Sequence, residues 1–306
     1  MRILVIGAGG IGGYFGAQLA RAGFDVAFVA RGAHLAALRE HGLRIEGTLA
    51  PLHLPRVAAD DDPARFAPAD VVMFCTKLWD VEAAAQRLAP ALASDSLVIP
   101  FQNGVESHLI LRRVLGEARV AGGVAQISAT IKAPGVIEQS GPYARLRVGA
   151  FLPAQHARVQ AFADACKRAG IDVEVVDDVE RALWEKFVFL NAVSGLTCLT
   201  RQPIGVVRAD PDIRPVLVAA IEEAVAVARA RGVRLAEDIV AATLKIVDWL
   251  PAQMRASMLH DLTRGNRLEA PWLAGAVARM AREAGLAAPV NAAIYAALKP
   301  YVDGAR

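Results

Sequence analysis

The sequence predicts an α/β chain: a doubly wound N-terminal parallel sheet with added antiparallel strands, followed by an all-α C-terminal domain. Three observations carry this reading. Short apolar runs alternate with helical stretches through the first half of the chain. A glycine-rich turn joins the first apolar run to the first helix. The strand signal then fades after residue 178, leaving helical patterning punctuated by Pro and Gly.

Residues 3–6 (ILVI) form a first strand, and residues 14–22 a helix. Residues 25–30 (DVAFVA), 70–76 (DVVMFCT) and 96–101 (SLVIPF) read as further buried strands, with helices over 34–41 and 80–92. Such strands, separated by helices, imply a parallel sheet covered on both faces. Residues 120–148 alternate β-type residues around the turn signals Pro134-Gly135 and Gly141-Pro142. They are expected as antiparallel strands attached to the parallel sheet. A helix over 155–169 and a strand over 172–176 complete the first domain, placed at residues 1–178. The second domain, residues 179–306, should be helical, with breaks at Pro203, Gly232, Pro251 and Pro289.

Composition excludes several classes. The 306 residues are 55 % hydrophobic and 21 % charged, which is a folded chain of about two domains rather than a disordered one. A net charge of +3 argues for neither a nucleic-acid nor a membrane partner. Cys75, Cys166 and Cys198 form no C-x-x-C pair, so neither a disulfide framework nor a cysteine zinc site is expected, consistent with a reducing cytoplasm. No uncharged apolar stretch reaches the roughly 20 residues of a membrane helix. The histidines form no H-x-x-x-H pair, so no metal site is expected. The Ala-rich C-terminal helices over 272–284 and 290–298 are candidates for a homodimer surface.

Gly7-Ala8-Gly9-Gly10-Ile11-Gly12 fits G-x-G-x-x-G between a strand and a helix, the context of a Rossmann-type dinucleotide loop. Gly7 permits the tight turn, Gly9 lets a pyrophosphate approach the backbone, and Gly12 allows close helix–strand packing. The helix N-terminus offers its free N–H groups to phosphate. The competing reading is a purely structural glycine turn. After the second strand, where an NAD site carries an acid, the sequence reads Ala30-Arg31-Gly32. A guanidinium there suits a 2′-phosphate, so the expected cofactor is NADP(H), unless Arg31 is only a surface residue. Lys77 is a second candidate for the phosphates or the adenine ribose.

Ligands in parallel sheets sit at the carboxyl ends of the strands. Asn103, in Gln102-Asn103-Gly104, lies just past such an end and is either a site amide or part of an Asn-Gly turn. Lys186 lies among Leu183, Phe189, Leu190 and Val193 at helical spacing. Its ammonium either snorkels to solvent or points into a cleft as a proton donor.

These residues together resemble the ketopantoate reductases (2-dehydropantoate 2-reductases), of the 6-phosphogluconate-dehydrogenase-like group. The resemblance rests on the glycine loop with Arg31, Thr76-Lys77, Gln102-Asn103-Gly104, Leu183-Trp184-Glu185-Lys186, and Ser257-Met258-Leu259-His260-Asp261 followed by Glu269. It implies NADPH-dependent reduction of a 2-oxoacid, with ketopantoate as the leading substrate. It implies Lys186 as the general acid and Glu269 as the carboxylate that accompanies it. Asn103 would lie near the nicotinamide and the lysine, and Ser257 would bind the substrate carboxylate. The implied substrate set is Asn103, Lys186, Ser194, Ser257 and Glu269. The sequence departs from the family pattern at the three positions where asparagines hold substrate. Leu190, Ser194 and Ile204 stand there, and Asn191 is one residue out of register. These departures keep open a different 2-oxo or 3-hydroxy acid substrate. A non-catalytic NADP(H)-sensing protein is the remaining alternative.

Overall fold

The computed structural model describes residues 1–304. The chain divides into two compact units: residues 1–102 with 106–182, and residues 103–105 with the chain from 183 onward.

The first unit is built on a parallel sheet of β1 (Arg2–Ile6), β2 (Asp25–Val29), β5 (Ala58–Asp60), β6 (Val71–Phe74) and β7 (Leu97–Pro100), in the order β5-β2-β1-β6-β7. β3 (Leu43–Gly47) and β4 (Leu52–Leu54) leave this sheet. Ile3, Val5, Val72, Met73 and Ile99 are fully buried, as central strands covered on both faces require. Chain order reverses between β1 and β6, which makes the carboxyl end of β1 the topological switch point.

A second sheet has the order β10-β9-β3-β4, with β8 paired to β9. β8 (Gly122–Ala133) and β9 (Val136–Gly149) form a long antiparallel hairpin, and β10 (Asp172–Val175) runs parallel to β9. The antiparallel strands expected on the parallel sheet thus belong to a sheet of their own. An isolated bridge, Val98 to Val120, joins the hairpin's approach to β7.

The reason lies in α1 (Gly10–Arg21), in which every residue from Gly12 to Leu19 is buried. A helix buried all round needs cover on both sides. Gly12 and Gly16 face Val5 and Phe28 of the parallel sheet, so tightly that a Cβ would overlap them. On the other side, Gly10 and Gly13 face Ala129 and Ile137 of the hairpin in the same way. α1 is therefore sandwiched between the two sheets by glycines on two faces.

α2 (Gly32–His41), α3 (Val81–Leu88), α4 (Ser107–Leu115) and α5 (His156–Arg168) complete this unit. Between α4 and α5, the fully buried Gln155 ties two loop segments together. Its Oε1 accepts from the Phe151 and Leu152 N–H groups, and its Nε2 donates to the Glu117 and Val120 carbonyls.

The second unit is helical. The division between units falls within α6 (Val179–Thr200), which is followed by α7 (Ile204–Ala209), α8 (Ile213–Ala230), α9 (Ile239–Trp249), α10 (Ser257–Thr263), α11 (Ala274–Glu283) and α12 (Pro289–Leu298). By length and composition α6 could cross a membrane, yet 72 % of its apolar window is buried inside the protein, as in a core helix. The expected breaks hold their places: Pro203 precedes α7, Gly232 follows α8 at φ +83°, Pro251 follows α9, and Pro289 opens α12. Proline suits that first helical position because its missing N–H would have no partner there.

The next two N–H groups of α12, from Val290 and Asn291, donate to the Glu223 carboxylate of α8 at 2.8 and 2.9 Å. A carboxylate at a helix N-terminus meets both unpaired donors and the positive end of the dipole. The Asn291 side chain extends the network. Its Nδ2 donates to Glu223 and to the Ala220 carbonyl, and its Oδ1 accepts from Asn191 Nδ2 at 2.7 Å. Asn291→Ala should leave Asn191 buried without this acceptor and lower the stability of the helical unit by about 2–4 kcal/mol, read as a shifted urea midpoint.

Candidate active site

The glycine loop turns at Gly7, whose φ of +96° lies in the left-handed region that favours glycine. The Gly7 N–H donates to the Val29 carbonyl, fixing the loop over the end of β2. A Cβ on Gly12 would strike the Gly7 carbonyl and Val5, so helix and strand pack as the motif requires. A Cβ on Gly9, by contrast, would meet nothing within 4 Å. The loop is thus tightly packed at Gly7 and Gly12 and open at Gly9, where the sequence places a pyrophosphate. Ala8 is buried, and Gly10 and Ile11 form the first turn of α1.

The two loops flanking β1 meet beside this turn. Arg31 precedes α2, and its Nη2 donates to Asp80 Oδ2, just ahead of α3, at 2.8 Å. The arginine is 66 % exposed. The acid that pairs with Arg31 thus comes from the loop after β6. Lys77, from the same loop, is exposed, with its Nζ 5.6 Å from the centre of the Trp79 ring. His34, in the first turn of α2, reaches back to the Ala8 carbonyl at 2.8 Å.

In the second unit, three residues far apart in the chain form one hydrogen-bonded line. Lys186 Nζ donates to Asn103 Oδ1 at 3.0 Å, and Asn103 Nδ2 donates to Glu269 Oε2 at 3.2 Å. Asn103 also opens a bend over residues 103–105, in which Gly104 has φ +88°. Glu269 is buried and stands at the head of a short 3-10 turn at Ala270–Trp272. Lys186 is held by α6 and does not snorkel freely. Burial pushes its pKa down from the ordinary 10.5 to about 8, against the opposing pull of the Glu269 charge.

The other substrate candidates lie outside this line. Ser194 is buried on α6, two turns beyond Lys186, and its Oγ has no hydrogen-bond partner among the described residues. Ser257 is exposed in the first turn of α10. Ile204 is fully buried, Leu190 is half-buried, and Asn191 is committed to Asn291.

Sequence reasoning missed Asp80 and His34. The strand order, once known, brings the loops after β2 and β6 together over β1, and that would have singled out an acid at position 80. His34 belongs to no motif.

Comparison with known proteins covers both halves of the chain. Residues 3–153 match the family described as ketopantoate reductase PanE/ApbA, and residues 178–302 match its C-terminal counterpart. A 2-dehydropantoate 2-reductase from Archaeoglobus fulgidus is 32 % identical, over 95 % of this chain and 94 % of its own. The crystal structure of a PanE/ApbA family ketopantoate reductase from Ralstonia eutropha is 34 % identical, covers 98 % of each chain and superposes with a TM-score of 0.90. D-mandelate dehydrogenase shares the fold, with a TM-score of 0.91 at 18 % identity. Matched along nearly its whole length, the chain is an oxidoreductase and belongs to the ketopantoate reductase family.

Proposed function

We propose that this protein reduces 2-dehydropantoate (ketopantoate) to (R)-pantoate with NADPH, in the cytoplasm, as a step toward pantothenate and coenzyme A. The hydrogen-bonded line Lys186–Asn103–Glu269 carries this reading.

The open backbone at Gly9 beside the tight packing at Gly7 and Gly12 fits a dinucleotide pyrophosphate. Residues 7–12, with Arg31 and Lys77, would hold the cofactor. When bound, it supplies the hydride that adds to the ketone carbon.

The protein's task is the oxygen. Hydride addition builds negative charge there, and an ammonium in hydrogen-bond reach stabilises that charge and delivers a proton. Lys186 is suited to this role because partial desolvation has made its proton easier to give up. Asn103 orients it. Because Asn103 Nδ2 is held by Glu269, Oδ1 must face the lysine, and the direction of one ammonium hydrogen is thereby fixed. The Glu269 charge opposes the full effect of burial, so the lysine stays protonated at neutral pH. Ser194 and Ser257 supply hydroxyls for the substrate, which Ser194 Oγ, buried without a partner among the described residues, is equipped to do.

A second reading keeps the mechanism and changes the acid. Leu190 and Ile204 offer no amide, and the Nδ2 of Asn191, the adjacent amide, is occupied by Asn291. A site with fewer polar anchors should favour a less polar 2-oxoacid. NADPH consumption with ketopantoate beside a panel of 2-oxoacids separates the two readings. The better substrate by kcat/KM identifies the acid, and no turnover with any of them refutes both.

Lys186→Ala should lower kcat about 10²–10⁴-fold while NADPH still binds, as measured by steady-state kinetics and calorimetry. The general acid works protonated, so kcat/KM for reduction should fall as pH rises through about 8, and Lys186→Ala should abolish that limb. Arg31→Ala should weaken NADPH about tenfold or more and leave NADH nearly unchanged, as judged by KM for each.

A further inference from the structure

His34 makes two hydrogen bonds whose chemistry leaves one arrangement. The Gly135 N–H lies 3.1 Å from His34 Nδ1. A backbone N–H can only donate, so Nδ1 is the bare nitrogen of a neutral ring. The proton then sits on Nε2, and Nε2 donates to the Ala8 carbonyl at 2.8 Å. One imidazole therefore joins three segments: the glycine loop, the first turn of α2, and the tip of the β8–β9 hairpin. That tip is itself anchored, since the Gly135 carbonyl accepts from the Arg44 N–H at 2.9 Å. Burial lowers the His34 pKa below the ordinary 6.5, which favours the neutral ring that this bonding requires.

The consequence falls on the next peptide group. The Ala8 carbonyl and the Gly9 N–H belong to one planar trans unit and point in opposite directions. Holding the carbonyl toward His34 turns the Gly9 N–H away from it. Gly9 is the one glycine of the loop at which an added Cβ would meet nothing within 4 Å.

We propose that His34 is a positioning residue of the dinucleotide site: its bond to the Ala8 carbonyl presets the Ala8–Gly9 peptide to receive the pyrophosphate. The proposal rests on the reading of residues 7–12 as the cofactor loop. It assigns His34 to the part common to NADPH and NADH, whereas Arg31 addresses the part in which they differ.

The test is calorimetric titration of the full chain, wild type and variants, with NADPH and with NADH, each variant first checked for a folded thermal transition. His34→Ala should weaken both dinucleotides by a similar factor of about ten, the equivalent of one hydrogen bond. At saturating cofactor its kcat should stay near that of the wild type. His34→Gln should recover most of the affinity. Its amide carries an acceptor and a donor in the same 1,3 relation as the two ring nitrogens, so it can serve Gly135 and Ala8 together. Should the alanine variant fail to fold, His34→Asn replaces it, since its shorter amide cannot reach both partners. Unchanged affinity in the alanine or asparagine variant, or equal loss in the glutamine variant, overturns the proposal. So does a loss confined to NADPH. A wild-type chain that binds neither dinucleotide overturns the cofactor reading, and this inference with it.

Discussion

The site depends on keeping one ammonium half out of water. An isolated buried charge is costly, and the group would ordinarily lose its proton or escape to solvent. Here the cost is offset by a carboxylate acting through an amide. Asn103 takes a hydrogen from Lys186 and returns one to Glu269, so the amide is locked in one orientation and the lysine in one place. The rest of the helical unit can be read as support for this arrangement. Trp184 and Phe187, fully buried in an edge-to-face pair with centres 5.2 Å apart, flank Lys186 on α6 and prevent its helix from turning. The Glu223–Asn291–Asn191 network ties the middle of the same helix to α8 and α12.

Much of this was legible in the sequence because it is carried by strong local signals. The ILVI run, the glycine loop and the five-residue β2 show their roles by pattern alone. Lys186 stood out because a lysine in an apolar stripe needs an explanation. The second sheet was less legible. β4 is three residues long, too short for periodicity to show, as is β5 at the edge of the parallel sheet. β3 does alternate, with Leu43 and Ile45 buried against Arg44 and Glu46, but it is only five residues long. The hairpin was recognisable, while its sheet was not, because β3–β9 partners such as Arg44 and Val136, 92 residues apart, leave no local trace. α1 held the needed clue. Its glycines on two faces imply two close neighbours, and only one sheet had been assigned to it.

The Arg31–Asp80 pair shows a different limit. Reading the end of β2 by itself suggests a site without an acid. The fold restores one from the loop after β6, 49 residues later in the chain. An exposed pair of this kind contributes little to stability, about 0–1 kcal/mol. What it provides is a guanidinium held in one place before any ligand arrives, at the edge of the same loop that His34 steadies.

The hydrogen bond from Asn103 to Glu269 spans 166 residues. That separation has a consequence in time. Contacts between distant parts of a chain form late, because the closure entropy is spent before the contact returns anything. During synthesis the glycine loop and β1 emerge first, yet α1 cannot be enclosed until the hairpin from 122 to 149 has been made. Lys186 must wait longer still, for a glutamate in the last eighth of the chain. A nascent or truncated chain therefore carries every recognisable motif of the first half before the Lys186–Asn103–Glu269 line can form. The order of manufacture makes that line one of the last parts of the protein to be assembled.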